Sequence, residues 1–440
     1  MSPVFRIGFP RTALTILALQ IVTPSWAEQS HQPLTLDFAQ RQAVARSRLL
    51  AAQDSAIEAS REMAVVAGQL PDSVLRFGID NIPADGPDRF SIGRDFMTMR
   101  RIGVVQELTG ARKRELRSAR AELDAARTLE EKNVTIANIR RDTAIAWLDR
   151  YYVEAMAAVV SSQLTHAAQE IEGAEGAYRS GRGTSADILA AYSARVLLED
   201  RASELRRRSN SAKATLARWL GDTAQDPLSG QPLLDSLQLD VQALEAELDH
   251  HPQVAVLARQ EDIARADVRV AEANRKPDWT VELNYAVRGS SYSNMLSVGL
   301  SIPLQWDQAN RQDREVYAKR ALVDQVAAQK EDALRMHVAE IRALVTEWQS
   351  GRERQKRLQL ELVPLASERT EALVGAYRAG KAALPEVLAA RRNELDVRLQ
   401  VLQLEADTAR VWAQLNFLFP EDSLTKPHFS SSHVPRKDRQ

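Results

Sequence analysis

A sixteen-residue sequence occurs twice in this chain, at residues 176–191 and again at residues 375–390. Eight positions are identical, and most of the others exchange similar residues, as Asp187 does with Glu386. Both copies begin Gly-Ala-Tyr-Arg, and both place an acid nine residues after the tyrosine. The chain is therefore interpreted as two copies of one structural unit, 28–221 and 251–419. This repeat constrains the fold more than any other feature, because repeated units stack to bury their apolar faces.

Long stretches without helix breakers surround both copies. Residues 111–172 contain neither proline nor glycine and predict a helix about 90 Å long, at about 1.5 Å per residue. Helical patterns also cover 36–69, 185–220, 252–275, 309–363 and 385–417, and Pro364 is predicted to kink the chain. In each unit the long helix matches two shorter helices laid end to end. The lengths predict an antiparallel bundle with the repeated turn at one end.

Four stretches alternate apolar and polar residues, as strands with two different faces do: about 74–81, 96–108, 279–287 and 295–304. Trp279 and Trp306 lie at the same end of the second pair, where an aromatic belt at a membrane surface is expected. Strands of this length suit a bilayer, but four strands cannot close a barrel alone. Either several chains pool their strands, or each hairpin packs on its own helices as a small soluble sheet.

The N-terminus carries the pattern of an export signal. Arg6 and Arg11 precede the apolar run 12–22, and small residues stand at Ser25 and Ala27. Residues 1–27 are predicted to be a secretory signal peptide, with a membrane anchor as the alternative. Residues 222–250 are expected to form an irregular connector, and the polar residues 420–440 a tail.

Composition and motifs exclude several classes of function. The 58 Lys and Arg residues nearly balance the 59 Asp and Glu residues. The sequence therefore lacks the excess of basic residues that is typical of nucleic-acid binding. The sequence shows no catalytic constellation, so we expect neither an enzyme nor a cofactor. His250 and His251 form an isolated pair without the spacing of a metal site. The chain contains no cysteine, and its stability must come from packing and assembly.

With these residues in view, the chain resembles the TolC family of outer-membrane efflux ducts. The likeness covers nearly all of the chain after residue 27: two tandem units, a two-strand insertion in each, and turns bearing Tyr-Arg-x-Gly with an acid nine residues after the tyrosine. Residues 362–366, ahead of 376–380, are similar to the family's second-repeat motif. Residues 101–108, with 112–114 just after, are most similar to its heavy-metal (CzcC and CusC) branch.

The resemblance implies a mainly α fold with a small β part. Three chains would form a twelve-stranded outer-membrane β-barrel and a long periplasmic α-barrel of coiled-coil helices. The implied partners are outer-membrane lipid, a periplasmic adaptor and an inner-membrane RND-type pump. The implied function is the exit duct of an efflux system for heavy-metal cations. A duct for drugs or proteins, and a periplasmic coiled-coil adaptor or scaffold without membrane insertion, remain alternatives.

The resemblance also assigns roles to individual residues. Tyr377, Glu386 and Asp187 would line a closed periplasmic tip. The adaptor would contact two turns, formed by Ser180, Gly181, Arg182, Ala379, Gly380 and Lys381. Ala382 and Ala389 replace an arginine and an acid that constrict better-known members. For Asp187 and Glu386 the alternative is a role in starting the next helix, and for the tyrosines it is packing.

Overall fold

The structure, a computed structural model, describes residues 34–237 and 251–419. The signal peptide predicted at 1–27, the tail at 420–440 and the end of the connector lie outside the described residues. The helices are α1 (Leu36–Arg46), α2 (Arg48–Ala67), α3 (Ala111–Arg179), α4 (Ser185–Leu220), α5 (Pro252–Ala273), α6 (Gln312–Arg357), α7 (Val363–Arg378) and α8 (Leu384–Asn416). The strands are β1 (Val74–Asp80), β2 (Met99–Leu108), β3 (Trp279–Val287) and β4 (Met295–Ser301).

The prediction of a single helix over 36–69 is wrong. Ser47 is extended, with φ −65° and ψ 111°, and it separates α1 from α2. The Ser47 side chain accepts a hydrogen bond from the backbone N–H of Leu50 at 3.3 Å. A serine in this position supplies a partner for an N–H that the first turn of a helix leaves free, so it favours a new helix start.

The long helix α3 is longer than predicted, at 69 residues against 62, because it continues through Gly173 and Gly176. Its counterpart in the second unit does not end at Pro364. One π turn, Leu358–Leu362, joins α6 to α7, and the N–H of Val363 donates to the carbonyl of Leu358. The wider turn accommodates a proline, which lacks an N–H and crowds the preceding turn of a regular helix.

The four strands form one antiparallel sheet in the order β1-β2-β3-β4. Two strands are three residues shorter than predicted, since 96–98 and 302–304 lie outside the sheet. Pairing of β1 with β2 ends at Asp80 opposite Met99, so 96–98 have no β1 residues to pair with. Pro303 has no N–H to donate, which limits β4 at its end.

One face of the sheet is apolar and uncovered. Phe77, Ile102, Tyr285 and Leu296 are aligned across the four strands by the register. The next aligned row is Leu75, Val104, Leu283 and Val298. All eight side chains are exposed, Phe77 by 82% and Val298 by 74%. The hairpins are therefore not folded onto their own helices.

The helices lie side by side around α3. Toward the repeated turns the neighbours are α4, α3, α8 and α7, and toward the sheet they are α2, α3, α5 and α6. The largest core lies between these halves, around Trp147, whose indole N–H donates to the carbonyl of Leu34 at 3.0 Å. Buried Arg150 donates to the carbonyl of Ala224 at 2.7 Å, so the segment after α4 is fastened to α3. Among the residues described, no helix combines the length and the apolarity that crossing a bilayer requires.

Candidate functional site: the paired helix turns

The first turn reverses the chain between α3 and α4. Gly181 has φ +67°, the left-handed conformation that favours glycine. The N–H of Arg182 donates to the carbonyl of Ala177 at 2.9 Å, and the N–H of Gly181 donates to the carbonyl of Tyr178 at 3.0 Å. These two bonds satisfy carbonyls that the end of a helix leaves free, as in a Schellman turn.

Asp187 closes a capping box at the start of α4. The backbone N–H of Asp187 donates to the Thr184 hydroxyl at 3.2 Å, and the N–H of Thr184 donates to the Asp187 carboxylate at 2.9 Å. The Thr184 hydroxyl also donates to this carboxylate, at 2.8 Å. The carboxylate therefore caps the N-terminus of α4. That Asp187 also lines a closed tip stays a prediction.

The second turn has the same backbone geometry but a different helix start. Gly380 has φ +72°, and the N–H of Lys381 donates to the carbonyl of Ala376 at 2.8 Å. The residue before α8 is Ala383, which has no side-chain oxygen and makes no capping bond. Glu386 is exposed in the first turn of α8, where the helix dipole favours an acid. Its carboxylate, unlike that of Asp187, takes no part in a capping box.

The two turns meet in one small apolar cluster. Its buried members come from three helices and are Ile171, Ala174, Ala191, Leu384 and Val387. Tyr377 packs against this cluster, and its pKa is raised by burial and by the nearby charge of Asp187. The structure thus brings Tyr377 close to Asp187. Tyr178, at the matching position of the first turn, is 52% exposed.

The turn residues predicted to contact an adaptor are all exposed: Ser180, Gly181, Arg182, Ala379, Gly380 and Lys381. The Arg182 guanidinium donates to the Ser180 hydroxyl at 3.2 Å within its own turn. Both turns therefore present backbone and positive charge at one end of the molecule.

An ion pair that sequence reasoning missed joins the two units near these turns. Arg391 on α8 lies 3.1 Å from Glu170 on α3, and both side chains are largely buried. Burial raises the pKa of Glu170, and the charge of Arg391 opposes that rise. The partners are 221 residues apart, and each resembles any charged residue of a helix surface. Only the packing of α3 on α8 shows that they are a pair.

A groove of about 870 Å³ lies between α3, α4 and α8, and both partners of this ion pair line it. Its walls include Leu197 and Leu388, and at its rim Arg201 on α4 lies 2.7 Å from Asp396 on α8.

At the other end of the molecule Trp306 is 88% exposed and Trp279 is also exposed. Within 34–237 and 251–419, no group of three or more His, Asp and Glu side chains is placed to hold a metal ion.

Comparison with known proteins relates part of this chain to one protein family. Residues 243–419, which include the second turn and all of α8, match the model of a family described as outer membrane efflux protein. The match covers 177 of the 440 residues and spans the second unit. No curated protein is significantly similar to the chain.

Solved structures of outer membrane proteins share the fold over most of the chain. VceC from Vibrio cholerae has a TM-score of 0.70 and 18% identity, covering 87% of this chain and 95% of that one. CusC has a TM-score of 0.73 and 15% identity, covering 87% and 92%. The CmeC channel from Campylobacter jejuni has a TM-score of 0.71 and 12% identity, covering 94% and 93%.

These likenesses confirm the predicted fold class, mainly helical with a small antiparallel sheet. CmeC is described as an outer membrane channel, and CusC in terms of transmembrane channel formation.

Proposed function

We propose that the protein is the outer-membrane exit duct of an efflux system, and that it works as a homotrimer. The observation that carries the proposal is the uncovered apolar face of the sheet, together with the family match. Among the described residues, both outer strands, β1 and β4, have one unpaired edge. Unpaired backbone groups cost several kcal/mol each in lipid, so three copies that joined β4 to β1 would form a closed twelve-stranded barrel.

The same threefold arrangement would close the helices into a hollow periplasmic cylinder. Its far end carries the two exposed turns, on which we place the contacts with a periplasmic adaptor and, through it, an RND-type pump of the inner membrane. The arginine and lysine of these turns, Arg182 and Lys381, would favour acidic surfaces on the adaptor.

The tip of this cylinder would be the gate. Tyr377, on the second unit, is close enough to Asp187 of the first for the Asp187 charge to contribute to its raised pKa. Glu386, free of any cap, would contribute one acid per chain to a ring around the axis. The Arg391–Glu170 pair holds α8 against α3 just above the tip, and we assign it the role of keeping the tip closed, in place of links that Ala382 and Ala389 cannot make.

Heavy-metal cations are the proposed cargo. The similarity of residues 101–108 and 112–114 to the heavy-metal branch supports this choice, and a ring of three glutamates would favour cations. Growth of a deletion strain on a panel of metals and drugs tests it. Sensitivity of the deletion strain to metals alone supports the proposal. Sensitivity to drugs alone would indicate that the duct exports drugs and not metals.

Cell fractionation tests the duct itself. The full-length chain, expressed in a Gram-negative host, is expected in the outer membrane, and in mild detergent it should run as a trimer that heating converts to a monomer. A periplasmic adaptor or scaffold would instead be released with the soluble periplasmic proteins. That result would contradict the proposed function as an outer-membrane duct.

The acid ring has its own test in planar bilayers. Glu386→Gln should reduce the preference for cations over anions with little change in thermal stability. Glu368→Gln, at an exposed position on α7, is the matched control and should leave the preference unchanged. A Glu386→Gln variant that keeps its cation preference but melts at a lower temperature would support the helix-start role instead.

A further inference from the structure

The two units differ in their longest helix. In the first unit α3 runs through 69 residues without interruption. In the second unit the matching helix is divided into α6 and α7 by the π turn Leu358–Leu362. A single π turn inside a long helix often marks a functional site or a hinge. Of the two hairpins that end in the repeated turns, only the second contains such a break among the residues described.

The π turn is the loosely packed part of its helix. None of the residues Leu358–Leu362 is buried, and Leu360 is largely exposed. Tight contacts lie on both sides of it. On one side Gly351 touches Thr408 of α8 so closely that an added Cβ would lie 2.5 Å from its hydroxyl oxygen. On the other side Ala366 and Thr370 are buried. A bend would therefore concentrate between these two contacts.

A polar bridge crosses this loose segment. Gln355, at the end of α6, donates to the Glu405 carboxylate on α8 at 3.2 Å. Gln359, inside the π turn, donates to the same oxygen. Glu405 is half-buried. One carboxylate on the uninterrupted helix α8 thus holds both the last regular turn of α6 and the π turn.

We propose that the π turn is the hinge of the α7–α8 hairpin and that Glu405 is the positioning residue that fixes its closed angle. The inference rests on the proposed function, because it assumes that the hairpin tip is the gate. From Leu362 to Ala379 the lever is about 25 Å long. A bend of about 20° would move the turn by about 9 Å, with α8 following by smooth curvature.

The first test measures the open probability of the purified trimer in planar bilayers. Glu405→Ala removes the acceptor of both amides and is expected to raise the open probability about tenfold, since a hydrogen bond to a carboxylate changes an equilibrium by about that factor or more. Glu405→Gln keeps an acceptor oxygen and should behave like the unmodified protein. Glu368→Ala, an exposed glutamate of α7, is the matched control. An unchanged Glu405→Ala variant, or a Glu405→Gln variant as open as it, overturns the role of Glu405.

The second test removes the hinge. Deleting Leu360 takes away the one residue by which a π turn exceeds an α turn and leaves the faces of α6 and α7 in place. The Arg391→Ala variant, which loses the Glu170 link, should open more often than the unmodified trimer. Adding the deletion should return the open probability to the unmodified level or below. If the double variant opens as often as Arg391→Ala, the hinge is wrong.

The outcome for Arg391→Ala also separates this inference from the proposed function. A trimer that conducts, and conducts more in Arg391→Ala, upholds the duct whatever the Glu405 and Leu360 variants do. A protein in which no variant conducts contradicts the duct itself. Heat-sensitive trimer bands for each variant show that a loss of conductance is not a loss of assembly.

Discussion

Asp187 and Glu386 occupy the same position in the two repeats, yet only Asp187 caps a helix. The difference arises three residues earlier, where Thr184 has a hydroxyl and Ala383 has none. One acid is thereby committed to stability, and the other is left available for a charge-dependent role. The repeat alone predicted both possibilities for each acid, and the neighbouring residue distinguishes them.

Asp187→Ala is expected to lower the unfolding free energy by about 1 kcal/mol, the usual effect of losing a capping interaction. Glu386→Ala should change it by less than about 0.5 kcal/mol, since only the favourable dipole interaction is lost. Urea titration of both variants in detergent checks the pair. Equal losses in the two variants would contradict the difference in capping.

His251 is a buried base at the start of α5. Its ring accepts a hydrogen bond from the backbone N–H of Gln253 at 3.3 Å and lies 4.8 Å from the ring of His337. Burial, with a smaller contribution from His337, lowers the pKa of His251 to about 4. An unfolded histidine titrates near 6.5. The folded protein therefore resists a proton that the unfolded chain accepts.

Stability should consequently fall as the pH drops from about 6.5 toward about 4, with a slope of at most about 1.4 kcal/mol per pH unit from this group. His251→Asn keeps an acceptor for the Gln253 N–H and removes the titration. Melting curves should show that this variant loses less thermal stability on acidification than the unmodified protein. At pH 8 the variant should gain no stability, because His251 is neutral there in both the folded and the unfolded chain. Parallel acid profiles for the two proteins would exclude His251 as the cause.

At the scale of elements, sequence pattern predicted the long helices and the four strands because their periods persist over many residues. It missed the break between helices at Ser47 and the π turn that precedes Pro364. Both are decided by a single local choice, a side chain that caps a helix and a turn that widens around a proline. The Arg391–Glu170 contact was missed for another reason: only tertiary packing brings the partners together.

The contact of α6 with α8 at Gly351 gives a prediction with an internal control. Gly351→Ala would place a Cβ 2.5 Å from the Thr408 hydroxyl oxygen, so the helices must separate, at a cost of about 1–3 kcal/mol. Gly173→Ala in α3 meets nothing within 4 Å, and it should stabilise by about 0.5–1 kcal/mol because alanine suits a helix interior better.

The double variant Gly351→Ala/Thr408→Ala should regain most of the lost stability, because the obstructing hydroxyl and methyl groups are gone. Thermal unfolding of the single and double variants checks the series. No recovery in the double variant would mean that Gly351 is required for a reason other than its contact with Thr408.

At the scale of the whole molecule, the sheet has two faces that call for different surroundings. Val298 and its aligned neighbours form the exposed apolar face, while Ser297, one residue away on β4, points to the other side. In a soluble protein an apolar surface of this size would be a liability. In the proposed trimer it faces lipid, and the face of Ser297 lines the pore.

Adjacent arginine substitutions separate these environments. Val298→Arg should destabilise the inserted trimer by about 2–4 kcal/mol if the residue lies near the middle of the bilayer, since a charge on the lipid face of a barrel is that unfavourable there. Ser297→Arg introduces the same side chain on the same strand and should leave the amount of trimer in the outer membrane unchanged, while lowering conductance for cations. Quantitative blots of heat-sensitive trimer measure the first effect, and bilayer recordings measure the second. Equal amounts of membrane trimer for the two variants would show that the apolar face does not meet lipid, and the threefold duct would lose its physical basis.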